Sequence, residues 1–147
     1  VDTIRRWRNG GKFDGKMLTE DQKHIYSVYQ RILTLCNKEK AITEGEFFDL
    51  MYANANGWRF NEHKQYTFLR KAGKELLFII VNFDHISVDV AINVPSHAFD
   101  FLQIPQMDIY PAVDLLTGKT ESISMLPYKA TEISVEGYSG KILKIKL

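Results

Sequence analysis

Residues 76–81, Leu-Leu-Phe-Ile-Ile-Val, form an unbroken apolar run between Glu75 and Asn82. The run is too short to span a membrane. It is rich in β-branched and aromatic side chains and follows the turn signal Ala72-Gly73-Lys74. That pattern predicts a buried strand rather than a turn of helix. A strand apolar at every position needs cover on both faces. Shorter segments around it alternate instead, each with one face to bury. Residues 88–94 alternate in this way until Pro95 ends them. The expectation is a β-sandwich with the 76–81 strand at its centre. Its additional apolar face calls for a second partner, either the helical segment near the N-terminus or something outside this chain.

That helical segment begins at Thr19. Thr19 and Gln22 have the spacing of a capping box, and Glu20 and Asp21 complement the dipole of the first turn. Ile25, Val28, Tyr29, Ile32, Leu33 and Cys36 then recur at helical spacing until Asn37 and Lys38-Glu39-Lys40. Cys36 lies on this stripe, so the sequence predicts a buried structural thiol rather than a nucleophile. Residues 1–18, with Arg5, Arg6, Trp7, Arg8 and Asn9-Gly10-Gly11, read as a loop. Residues 53–58 also read as a loop. Residues 66–70 lead into the central strand. Residues 108–116 make a further strand interrupted by Pro111, and Ile123 and Met125 mark a short one. Ile133 and Val135 are expected to pair with Leu143, Ile145 and Leu147 across Gly137-Tyr138-Ser139-Gly140 as a closing hairpin. The fold class is therefore mainly β: an antiparallel β-sandwich with Greek-key-like connections, preceded by one long amphipathic α-helix.

The chain of 147 residues has room for one domain, or one domain plus a fragment. A net charge of +1 makes no case for nucleic acid or an anionic membrane as partner. One cysteine cannot build a disulfide framework. His24, His63, His85 and His97 have no metal-binding spacing, and no cofactor is implied. Gly10-Gly11 lacks the Lys-Ser/Thr ending of a phosphate loop, and no Ser sits in a Gly-x-Ser-x-Gly elbow. No carboxylate pair stands out for acid/base work. Asp49, Asp84 and Asp114 lie near strand ends, where turn and cap roles are expected. The aromatic residues Trp58, Tyr52 and Tyr66, and Trp7 beside its arginines, are the candidate sugar contacts, since a ring face suits a sugar; packing in a core or against a neighbouring domain is the commoner role for such residues. The first residues read as the middle of a motif, so the chain is expected to be a piece of something longer.

The order of motifs is more specific than any one of them. Residues 6–15, Arg-Trp-Arg-Asn-Gly-Gly-Lys-Phe-Asp-Gly, lead to Leu18-Thr19 and a helix with Tyr29, Leu33 and Leu35. Lys40-Ala41-Ile42 and Gly45-Glu46-Phe47 follow. This succession resembles the end of the catalytic barrel in α-amylase-family glycoside hydrolases. Residues 68–71, Leu77 to Val81 with Asn82-Phe83, and Val94-Pro95 are similar to strands of that family's C-terminal β-domain. The resemblance implies a division into a barrel tail at 1–42 and a β-sandwich at 43–147. It also implies an upstream β/α barrel in the same polypeptide that carries the catalytic carboxylates, so none is assigned here and the chain alone is not expected to be catalytic. The barrel is then the expected partner, with starch-type α-glucan as a second. The helix stripe, lacking the barrel, is expected to lie on the sandwich or join a second copy. A polysaccharide-degrading parent points to a secreted or periplasmic protein. Two rival readings are a starch-binding module and a stand-alone assembly or adhesion sandwich.

Overall fold

A computed structural model describes residues 1–147, which divide into two compact units, 1–37 and 38–147. In the first, helix α1 (Asp2–Arg8) replaces part of the predicted loop. No helix breaker occurs before Asn9, Asp2 occupies the first turn, and an Asp2–Arg6 ion pair at 3.0 Å spans i to i+4. Asn9 adopts the left-handed conformation that stops the helix, and Gly10 and Gly11 also have positive φ. Helix α2 (Glu20–Lys38) starts at the expected box: the Thr19 N–H donates to Gln22 Oε1 at 3.1 Å, and the Gln22 N–H to Thr19 Oγ1 at 3.3 Å. No residue of α2 is buried, and Cys36 is exposed, against the expectation of a buried thiol. Ile25, Val28, Tyr29 and Leu33 are exposed too.

The second unit is mainly antiparallel β and sandwich-like. A six-stranded sheet runs in the order β1 (Glu46–Asp49), β2 (Gln65–Ala72), β3 (Glu75–Asn82), β8 (Ser139–Lys146), β5 (Met107–Asp114), β6 (Thr120–Met125). The second sheet pairs β4 (Val88–Ile92) with β7 (Thr131–Val135). Short helices α3 (Lys40–Thr43), α4 (Met51–Asn54) and α5 (Ser96–Leu102) complete it.

Strand β3 is central, flanked by β2 and β8 along its whole length. Its two faces meet different neighbours. Leu76, Phe78 and Ile80 enter the main core with Leu143 and Ile145 of β8 and with Val90, Ile92, Ile133 and Val135 of the second sheet. Leu77 and Ile79 face the other way and form a small cluster with Ala41 of α3, edged by Ile42, Phe68, Val81 and Ile142. The second cover is therefore α3. Arg70 ties it down, donating from Nε to the Ala41 carbonyl and from a terminal nitrogen to the Gly45 carbonyl, each at 2.8 Å. Lys144 ties it again through Glu39 at 2.7 Å and also meets Glu75 at 3.3 Å.

The closing hairpin does not exist. Ile133 stands opposite Val90 and Leu143 opposite Phe78, so β7 and β8 lie in different sheets. The intervening turn is a crossing point between layers, fixed by the Tyr138 N–H donating to the Asp84 carbonyl at 2.7 Å. Gly137 is needed there because a Cβ would stand 2.2 Å from the His85 carbonyl oxygen.

Candidate functional site

The carboxylates near strand ends serve the turns. The Asp49 side chain accepts the Met51 N–H at 2.9 Å and opens α4. Asp114, buried, accepts the backbone N–H groups of Leu116 and Ile142 and the Thr117 hydroxyl. Asp84 accepts Lys64 Nζ at 2.7 Å and the His85 N–H at 2.8 Å. The Lys64 ammonium, helped by His85, holds the Asp84 carboxyl below the ordinary carboxylate range. No group of three or more His, Cys, Asp or Glu is arranged to hold a metal ion.

The four candidate sugar contacts do not come together. Trp7 lies in the first unit, half-buried against Tyr26 (ring centroids 4.8 Å apart) and Phe13 (6.2 Å). Tyr66 stands on the outer face of the large sheet beside Phe68 (5.7 Å), which in turn meets Phe47 (5.4 Å). Tyr52 projects from α4 into an aromatic group with Phe48, His97 and Phe101. Its hydroxyl hydrogen-bonds His97 Nε2, and desolvation, then the nearby Asp49 charge, push the phenol above its ordinary value. One hydrogen bond of this pair is made internally, and the rings tilt by 39° to 58°. It is not a flat platform.

Trp58 is different. It is 71% exposed, on a loop that is firmly held. Asn54, buried, donates to the Leu50 and Asn93 carbonyls and accepts the Asn93 N–H at 2.7 Å. The Gly57 N–H donates to the Asn54 carbonyl at 2.9 Å, and the Asn56 N–H to Glu62 at 2.6 Å. Arg59, next in the chain, has φ 56° and still binds β4, the Ala91 N–H donating to its carbonyl at 3.2 Å. Its guanidinium lies 5.0 Å from the Trp58 ring centroid. Nε donates to the Asp89 carbonyl at 3.0 Å, and the terminal nitrogens reach the Asp89 carboxylate at 4.0 Å and Glu132 at 3.5 Å. Asp89 also accepts the Ser134 hydroxyl. Asp89 and Ser134 are cross-strand partners of the β4–β7 ladder, as are Ala91 and Glu132, so the carboxylates share the outer face of the small sheet. A cleft of about 420 Å³ opens alongside, lined in part by Gly57, Arg59, Phe60, Lys64 and Asp89.

Sequence reasoning reached Tyr52 and Trp58 as candidate sugar contacts, with packing as the competing role, but missed their neighbours. His97 and Phe101 come from α5, which no periodicity marked. Asp89 and Glu132 meet only because β4 and β7 pair across a long separation. The alternation within each strand was the available signal, showing both carboxylates on outward positions.

No family model and no curated protein matches the chain. Solved structures do. A maltogenic α-amylase, AmyB, from Thermotoga neapolitana matches with TM-score 0.65 at 15% identity over 90% of this chain. The fold is that of part of an α-amylase-family structure. AmyP, solved with maltose, matches with TM-score 0.61 at 21% identity over 90% of this chain, and the Geobacillus thermoleovorans α-amylase with 0.60 at 12% over 91%. The chain spans only 27%, 23% and 26% of these α-amylase-family chains. At such identities the likeness is one of fold.

Proposed function

We propose that this chain is the non-catalytic C-terminal portion of an α-amylase-like glycoside hydrolase acting on starch-type α-glucans, and that its β-domain supports the catalytic barrel. The observation that carries the reading is the match of nearly the whole chain to about a quarter of each α-amylase-family structure. The outer face of the large sheet supplies a fitting surface. Helix α3 covers Leu77 and Ile79, but the row of Phe47, Phe68 and Tyr66 beside it stays accessible, and Phe83 is exposed beyond the end of β3. An exposed apolar patch of this kind fits an interaction surface, and a neighbouring domain of the same polypeptide is the partner assigned here. The first unit, 1–37, lies within the 1–42 stretch assigned here to the barrel's tail, and the exposed Ile25, Val28, Tyr29 and Leu33 of α2 are its contact with the barrel. Without a barrel the same stripe associates copies of the chain, which light scattering measures.

Two measurements test the reading. The chain, incubated with soluble starch, maltooligosaccharides or pullulan, releases no reducing ends above a heat-killed control; turnover overturns the reading. In the polypeptide that carries the barrel, the pair Phe47→Ser and Tyr66→Ser lowers the melting temperature by several degrees, and an unchanged melting temperature removes this face as the contact.

A further inference from the structure

We propose that Trp58, Arg59, Asp89 and Glu132 form a binding site for a neutral sugar chain; its assignment to an α-glucan rests on the function proposed above.

The indole is held out rather than left over. Exposing most of a Trp forgoes the burial that normally stabilises such a side chain, and a folded chain usually turns it inward. Here the loop is fixed by buried Asn54 and by the Asn56–Glu62 bond, and Arg59 keeps a backbone conformation unfavourable for a side chain with a Cβ. Local strain of this kind persists where surrounding structure imposes it, and it concentrates at ligand sites. The guanidinium occupies one face of the ring, held by Asp89 and Glu132. The exposure of the residue leaves the opposite face to solvent.

The chemistry around the ring selects the ligand. One guanidinium faces two carboxylates, so the group has no excess of positive charge to capture a phosphate or another anion. A cation would have to displace an arginine already paired. Sugar hydroxyls both donate and accept, so they satisfy the remaining lone pairs of Asp89 and Glu132 and the remaining donors of Arg59 without a charge mismatch. The apolar C–H face of a pyranose fits the free indole face. The neighbouring cleft has the size of a small-molecule site. The Tyr52–His97 group lacks these features, because its rings are tilted against one another and its hydroxyl is already bonded to His97.

The intact chain is titrated with maltoheptaose and, separately, cellohexaose, following amide and indole N–H resonances by NMR, with dispersion of the spectrum as the check on folding. Maltoheptaose is expected to give saturable shifts at the Trp58 indole and at Asp89 and Glu132. Trp58→Ala weakens binding at least tenfold, Glu132→Gln weakens it severalfold, and Tyr52→Ala leaves it unchanged. Glu132→Gln keeps the shape of the site, so it remains informative if Trp58→Ala perturbs the loop. Absence of saturable shifts at about 10 mM maltoheptaose, a concentration that corresponds to only about 2.7 kcal/mol of binding free energy, overturns the site. So does binding that survives Trp58→Ala. Equal binding of cellohexaose overturns the α-glucan assignment. Each of these results is independent of the starch-hydrolysis assay and the barrel-contact measurement, so loss of the site leaves the proposed function standing.

Discussion

The two faces of β3 should respond unequally to truncation. Ile80 is fully buried among Leu50, Leu69, Phe78 and the strands of the second sheet. Ile80→Ala removes methyl and methylene groups from a place with no room to collapse, so its cost falls near the upper end of the large-to-small range, about 4 kcal/mol. Ile79 is 8% exposed, and around it Phe68, Val81, Leu115 and Ile142 are only partly buried. A cavity there opens toward solvent and its rim can relax, so Ile79→Ala costs about 2 kcal/mol, near the lower end. The difference of about 2 kcal/mol is roughly a thirtyfold change in the folding constant. With a urea m-value of about 2 kcal/mol/M, it separates the two midpoints by about 1 M. Urea unfolding followed through methyl resonances of β3 and β8 reads this unit without interference from the first. Equal losses would refute the reasoning, since they would mean that α3 seals its face as completely as the second sheet seals the other. A larger loss for Ile79→Ala would reverse the assignment of the main core.

Arg70→Met keeps the aliphatic stem but removes the bonds to the Ala41 carbonyl of α3 and to the Gly45 carbonyl just beyond it. It should cost about 2 kcal/mol, given charge-assisted bonds at a half-buried site, and speed amide exchange at Ile42 and Thr43 while β3 and β8 amides stay protected; unchanged exchange at α3 counts against the clasp. Asp84→Asn tests an electrostatic contribution whose sign is fixed. Because the folded carboxyl titrates below its unfolded value of 3.8, Asp84 contributes stability above that pH and loses it as pH falls further. Thermal melts should show the variant less stable at neutral pH, with the gap closing below 3.8. A gap that persists in acid would assign the role to hydrogen bonding alone.

What the sequence disclosed depended on whether the signal was local. The Thr19–Gln22 box and the apolar run in β3 are local, and both expectations match the structure. The pairing of β7 is not local. Ile133 and Val135 alternate as a strand should, yet alternation does not state which sheet a strand joins, and the Gly137 turn looks the same whether it closes a hairpin or crosses between layers. Helix α5 occupies only residues 96–102, too few for a helical period to separate from chance, although Pro95 before it and Gln103 in the left-handed conformation after it bound it clearly in space. The same distinction governs the sugar site. Trp58 could be found from its residue type, whereas Asp89 and Glu132 become its neighbours only through the β4–β7 register.

The place of β8 has a kinetic consequence. It sits between β3 and β5, and its final residues close onto the β2–β3 turn, where the Leu147 N–H donates to the Lys74 carbonyl at 2.8 Å. During synthesis β1, β2 and β3 emerge first and can form a meander, but β3 then presents an unpaired apolar edge until residues 139–146 arrive. Pairings between strands this far apart are slow to close. A nascent chain therefore exposes the apolar edge of β3 for more than half of the time that the unit is being made, and a chaperone that shields extended apolar segments should act on β3 during that interval.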